Sequence, residues 1–166
     1  MFLPDPSCRF SEETLSLMPS IGFIKEETSE SEKHEIFPCP CCGYLVHKEP
    51  PGSYSICEIC FWEDDDTQLR YPELAGGANK VCLIEGQKNF AALGVCEARL
   101  LKHVRKPSES DRNDPEWRFV DPQRDNYERP KKPFSGKDYF DATGATDAVL
   151  KERTQLYYWR KNYWRR

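Results

Sequence analysis

The chain has 166 residues, enough for one domain or for one small domain with extensions. Hydrophobic residues make up 38%, below the roughly 45–50% usual in globular proteins, so the core is thin for the length and calls for a staple. A net charge of −4 argues against general nucleic-acid affinity, and no apolar run approaches the roughly 20 residues that span a membrane.

Residues 1–35 read as an N-terminal extension and linker. Met1 to Pro6 has neither a basic n-region nor an apolar h-region, so no secretory signal is expected. Pro4, Pro6 and Pro19 confine any helix to Ser11–Met18, and residues 25–35 carry no apolar side chain and read as solvated linker. Ile21, Phe23 and Ile24 are the side chains that could dock this extension on the main domain.

Ile36-Phe37-Pro38 is a short strand leading into Cys39-Pro40-Cys41-Cys42-Gly43. Tyr44-Leu45-Val46 is a second strand, Pro50-Pro51-Gly52-Ser53 a turn, and Tyr54-Ser55-Ile56 a return strand reaching Cys57-Glu58-Ile59-Cys60. Two strands, each beside a Cys-x-x-Cys knuckle, make a zinc-ribbon hairpin. Cys60-Phe61-Trp62 then runs into Glu63-Asp64-Asp65-Asp66, which reads as a solvated or partner-facing acidic loop.

Residues 81–94 give the strongest helical pattern, with Leu83, Ile84, Gln87, Phe90, Ala91 and Leu93 on one stripe and Gly94 placed to end it. A second helix is expected over Glu97 to Val104, with Ala98, Leu101 and Val104 inward, stopped by Lys106-Pro107. From Ser108 to Pro133 the chain is polar and proline-broken, with Trp117, Phe119 and Val120 as an anchored strand or loop. A third helix begins near Thr146 as N-cap and sets Val149, Leu150, Arg153, Leu156 and Tyr157 on one face. The expected fold is small α+β: a zinc-ribbon hairpin with two or three packed helices and irregular extensions. Its zinc-binding core spans 36–107. Residues 108–166 form a C-terminal extension that wraps on this core, because 134–166 has too few aliphatic side chains for a core of its own.

Cys-x-x-Cys suits a tetrahedral metal because a two-residue turn brings its sulfurs to about 3.8 Å, the edge set by a Zn–S bond near 2.3 Å. The spacing selects Cys39, Cys42, Cys57 and Cys60 for a single structural zinc ion. Cys41 is the rival of Cys42, since adjacent residues point different ways, and the spacing favours Cys42. His34 and His47 serve as ligands only if a cysteine fails, and Cys8, Cys82 and Cys96 read as free thiols. Paired cysteines without a signal favour zinc in a reducing cytoplasm over disulfides. Four thiolates leave no open position, which argues against metallohydrolase chemistry.

The run Phe37-Pro38-Cys39-Pro40-Cys41-Cys42-Gly43-Tyr44, then Gly52-Ser53-Tyr54-Ser55-Ile56-Cys57-Glu58-Ile59-Cys60-Phe61-Trp62-Glu63-Asp64-Asp65, resembles the cysteine-rich CPCC family of small, mostly bacterial proteins. Gly76-Gly77-Ala78-Asn79-Lys80-Val81 and Gln87-Lys88-Asn89-Phe90 follow the same pattern. The likeness covers residues 36–107 and departs at Cys82, where the family commonly has Ser as a helix cap. It implies a zinc-ribbon core and a loose association with bacterial toxin–immunity neighbourhoods, without a settled activity.

An enzyme is not expected: there is no Ser-His-Asp arrangement, glycine-rich phosphate loop or open His-rich metal site to nominate. The favoured reading is a zinc-binding protein-interaction module, an immunity protein that neutralises a cognate toxin domain. Trp62, Glu63, Asp64, Asp65 and Asp66 are then its partner-binding residues. The alternative is a nucleic-acid-binding regulator working through Trp159, Arg160, Lys161, Trp164 and Arg165, where aromatics stack on bases and cations meet phosphates.

Overall fold

The computed structural model describes residues 35–129 and 152–165. The expected helix start at Thr146, His34, Cys8 and the docking residues of the extension lie outside them.

Each cysteine knuckle carries its own small hairpin. β1 (Phe37–Pro38) pairs antiparallel with β2 (Leu45–His47), with a register shift between Phe37 and Pro38. The first knuckle closes through Gly43 N–H to Cys39 O and Cys39 N–H to Tyr44 O, both 2.8 Å. The second repeats this: Phe61 N–H donates to Cys57 O and Cys57 N–H to Trp62 O, both 2.8 Å, with Ile56 bridged to Glu63 beyond. The expectation that 44–46 pairs with 54–56 is corrected. A four-residue knuckle turn already reverses the chain, so the strands flanking one knuckle meet first and take each other's hydrogen bonds.

The acidic run opens a helix that the sequence reading placed in a loop. α1 (Asp66–Arg70) is capped by Asp65, whose Oδ1 accepts from Thr67 N–H at 2.8 Å and Gln68 N–H at 3.1 Å. α2 (Leu83–Leu93) matches the expected helix and ends at Gly94, held at φ 77 with its N–H on Phe90 O. Its buried face is Leu83, Gly86 and Gln87, while Leu93 is 51% exposed. A Cβ on Gly86 would stand 3.0 Å from the Trp62 ring, so the α2 backbone lies close on that indole and any larger residue there would press on it.

The second expected helix is a 3₁₀ helix, Ala98–His103, with no buried residue. Ala98 and Leu101 face solvent rather than the core. Three residues per turn stack i over i+3, so Ala98 and Leu101 keep a common face, and it is that face which turns to solvent. Near the C-terminus a second 3₁₀ helix runs Arg153–Leu156.

Residues 152–165 lie against the cysteine-rich segment, with Leu156, Tyr157, Tyr158, Trp159 and Tyr163 buried. Tyr157 Oη donates to Pro38 O at 3.1 Å. Gln87 ties four segments: its Nε2 donates to Pro40 O at 2.8 Å and Tyr158 Oη at 2.9 Å, and its Oε1 accepts from Val120 N–H at 2.9 Å. Fully paired, a buried amide of this kind fixes relative placement more than it adds net stability.

Ion pairs fasten the same segment. Glu128 receives Arg70 Nε at 2.6 Å and Arg165 Nη1 at 3.1 Å, and Asp125 receives Arg118 at 2.6 Å. Burial pushes the Glu128 carboxyl up, but Arg70, Tyr71 and Arg165 together bring it below its usual range. A lowered folded pKa means stability present above the unfolded value of about 4 and lost as pH falls through the folded one. Burial holds Asp64 and Asp66 above their usual values, with the opposite sense: their contribution is present at low pH and lost as pH rises. Urea unfolding from pH 7 to pH 3 separates the two. Glu128→Gln should cost about 0.5–1 kcal/mol at pH 7, and the difference from wild type should vanish near pH 3. An equal deficit at both ends would mean that the charge is not the cause.

Candidate metal centre

The structure brings Cys39, Cys42, Cys57 and Cys60 together, with all ligand atoms within 4.8 Å of one another. The Cys39–Cys60 sulfurs are 3.6 Å apart and the Cys42–Cys57 sulfurs 3.7 Å. Those separations fit the edge of about 3.8 Å that a tetrahedral zinc thiolate site needs. All four side chains are 0–1% exposed. Burial pushes the Cys39, Cys42 and Cys60 thiols up, while hydrogen bonds from Cys39, Cys42 and Cys60 pull Cys57 down. A bound cation would let all four thiols ionise.

The two knuckles are near-repeats, and the residue after each second cysteine must turn left-handed. In the first this is Gly43, at φ 79, where a Cβ would fall 2.5 Å from the Trp117 ring. In the second it is Phe61, at φ 66. Trp117 covers the first knuckle and its Nε1 donates to Pro40 O at 3.1 Å. Cys96 N–H donates to Cys60 O at 2.7 Å, and burial pushes the Cys96 thiol up.

Cys41 is fully buried and lies outside the four-sulfur set, against α2, where a Cβ on Gly86 would meet its sulfur at 3.4 Å. Cys82 is half-buried at the cap of α2 and makes no side-chain capping bond. His47 is 3% exposed and outside the cluster. We expect Cys41→Ser to keep a full complement of zinc by elemental analysis and to lose about 1–2 kcal/mol from burying a hydroxyl. Zinc lost from Cys41→Ser but kept by Cys42→Ser would reverse the ligand assignment.

The run expected at a partner-facing surface is inside the fold. Trp62 is 0% exposed and lies under α2, while Asp64, Asp65 and Asp66 are 1%, 0% and 6% exposed. Each carboxylate has an internal task. Asp64 Oδ2 accepts from Gly52 N–H, Ser53 N–H and Ser53 Oγ at 2.9, 3.1 and 2.9 Å. Asp65 caps α1 and takes Ala78 N–H at 3.0 Å, and Asp66 pairs with Arg153 at 3.1 Å. Only Glu63 of the run is half-exposed. The signal that could have shown this is Asp65 standing two and three residues before Thr67 and Gln68, an N-cap spacing.

The basic and aromatic C-terminal residues are also committed inward. Trp159 Nε1 and Arg160 both donate to Asp114 Oδ2, at 3.0 and 2.7 Å. Arg165 pairs with Glu128, and the Trp164 ring sits between Arg70 at 4.9 Å and Arg165 at 5.3 Å. Lys161 is exposed. The stacking surface expected of this tail is therefore spent on the core. Sequence reading missed Asp114, Gln68 and Asn79, whose importance comes only from their long-range partners.

Residues 37–111 match the model of the family described as cysteine-rich CPCC, which bears out the resemblance read over 36–107. None of the curated proteins matches the chain. Together with the thiolate cluster, this marks the segment as a metal-binding module. Among the described residues no helix is long and apolar enough to cross a membrane.

Proposed function

We propose that this chain is a zinc-binding module whose metal is structural and whose work is protein recognition, not catalysis. The observation that carries the reading is the closed, fully buried set of Cys39, Cys42, Cys57 and Cys60. Four soft thiolates at tetrahedral spacing suit zinc, and they leave it no position for water or substrate. What the metal holds is a surface. Tyr54, Ile56 and Leu101, around the second knuckle, are 46%, 52% and 57% exposed. Neutralising a toxin through an acidic loop is not retained, because Asp64, Asp65 and Asp66 are buried.

Cobalt substitution tests the closed site. Tetrahedral thiolate bands that stay unchanged when azide or cyanide is added support a structural metal. A spectrum that shifts with either anion would show an open position and sink the reading.

A further inference from the structure

Resting on the recognition reading, we propose that the groove between α2 and residues 117–120 docks an amphipathic helix of a partner protein, apolar on its seated face and carrying one carboxylate for Lys88. The groove holds about 490 Å³. Ile84, Gln87 and Val120 form its floor, where Ile84 and Val120 pack on the core. Ala91, Ala92 and Phe119 form its exposed walls. Phe119 is 49% exposed, yet its ring is fixed edge-on against Trp117 with centroids 5.2 Å apart. Trp117 and Gln87 both donate to Pro40 O, between the cysteines of the first knuckle. The groove is thus formed in advance, on the turn that the metal holds, and an occupant does not have to order it.

The backbone around the groove selects a helix. The N–H and C=O groups of α2 are paired within the helix. Across from it, Tyr158 Oη donates to Arg118 O, Arg118 Nη1 donates to Phe119 O at 3.1 Å, and Val120 N–H donates to Gln87 Oε1 at 2.9 Å. A strand laid here would give up hydrogen bonds to water and find few backbone partners in return. A helix arrives with its own backbone satisfied and needs only side-chain contact. The small side chains of Ala91 and Ala92 let its axis come close.

Charge sets what that helix carries. Lys88 is the one charged side chain lining the groove; it is exposed and forms no ion pair among the described residues. Glu85, one turn earlier on α2, does not line it. Arg118, next to Phe119, is held by Asp125. Gln87 is committed within the fold, its amide bonded to Pro40, Tyr158 and Val120. A single cation beside an apolar floor matches one Asp or Glu beside Leu, Ile or Phe anchors on the same helical face.

The test uses the zinc-loaded full chain and an immobilised library of helical peptides, stapled on one face and randomised on the other. The expected result is enrichment of Leu, Ile or Phe together with one Asp or Glu. Ala91→Trp, which fills the groove from an exposed position, should weaken the selected peptide at least about tenfold with an unchanged thermal midpoint, and so should Phe119→Ala. Lys88→Glu should exchange the selected acid for Lys or Arg. No enrichment, or selected peptides indifferent to all three variants, would overturn this surface while leaving the closed metal site and protein recognition standing. Sedimentation of the chain alone as a dimer that Ala91→Trp makes monomeric would give the face to a second copy and overturn the partner helix. A fluorescent fatty acid that binds more tightly than every peptide, and is lost in Ala91→Trp, would overturn it as well. An open metal position in the cobalt protein would overturn the underlying reading whatever the peptides do.

Discussion

Cys57→Ser should empty the metal site and unfold the knuckle region, with zinc per chain falling to near zero and the cooperative thermal transition lost. Structural zinc binds with an apparent 10–16 kcal/mol, while a domain's whole stability is roughly 5–15 kcal/mol. The metal term is therefore as large as everything else combined. Cys57 N–H and C=O also close the second knuckle, onto Trp62 and Phe61, and without the metal to hold that turn the strand carrying Trp62 is released with it. Trp62 is the floor under α2, and the damage should spread there. Elemental analysis, with far-ultraviolet circular dichroism before and after chelation, checks the chain of effects. A Cys57→Ser protein that kept both its metal and its transition would show that another group completes the site.

Gln68→Leu should cost about 3–5 kcal/mol, though the exchange is close in volume and puts an apolar side chain where exposure is 0%. Gln68 Nε2 donates to Leu74 O, Asn79 O and Val81 O at 3.0, 3.1 and 3.0 Å. Its Oε1 accepts from Asn79 N–H and Nδ2, each at 2.9 Å. Asn79 in turn braces Glu63, taking its N–H at 2.9 Å and giving Nδ2 to its carbonyl at 2.8 Å. Leucine satisfies none of these groups. Each buried group left unpaired costs about 1–3 kcal/mol, and relaxation recovers part of the sum. Urea unfolding at neutral pH measures the loss. A deficit below about 1 kcal/mol would mean that water replaces the amide at little cost.

Features set by local spacing were legible in the sequence. The Cys-x-x-Cys pairs, the turn at Gly43 and the helix ending at Gly94 each depend on a few adjacent residues, and the structure places them where the spacing does. The acidic run shows the limit. Glu63 to Asp66 looks solvated because charge is usually exposed. Asp64 and Asp65 are nevertheless buried, because backbone N–H groups of 52–53, 67–68 and 78 converge on them. Nothing near the run announces those donors. The C-terminal aromatics fail for the same reason: Trp159 is decided by Asp114 and Tyr158 by Gln87, 45 and 71 residues away. The pairing of strands is not legible in spacing alone, because knuckle turns close before the longer hairpin between them can.

The separation of these contacts along the chain also orders events in time. The knuckle bonds join residues a few positions apart, and the sulfur pairs span 15 and 21 residues. Tyr157, which lies against this region through Pro38, is 119 residues away from it. Short loops close early and long ones late. A chain emerging from the ribosome can therefore take up its metal before residues 152–165 are made, and their docking then covers the site. Zinc should enter quickly during synthesis and leave the finished protein slowly, at a rate set by lifting of that segment. Faster loss to a chelator in Tyr157→Ala would display this gate, and an unchanged rate would show that release follows another route.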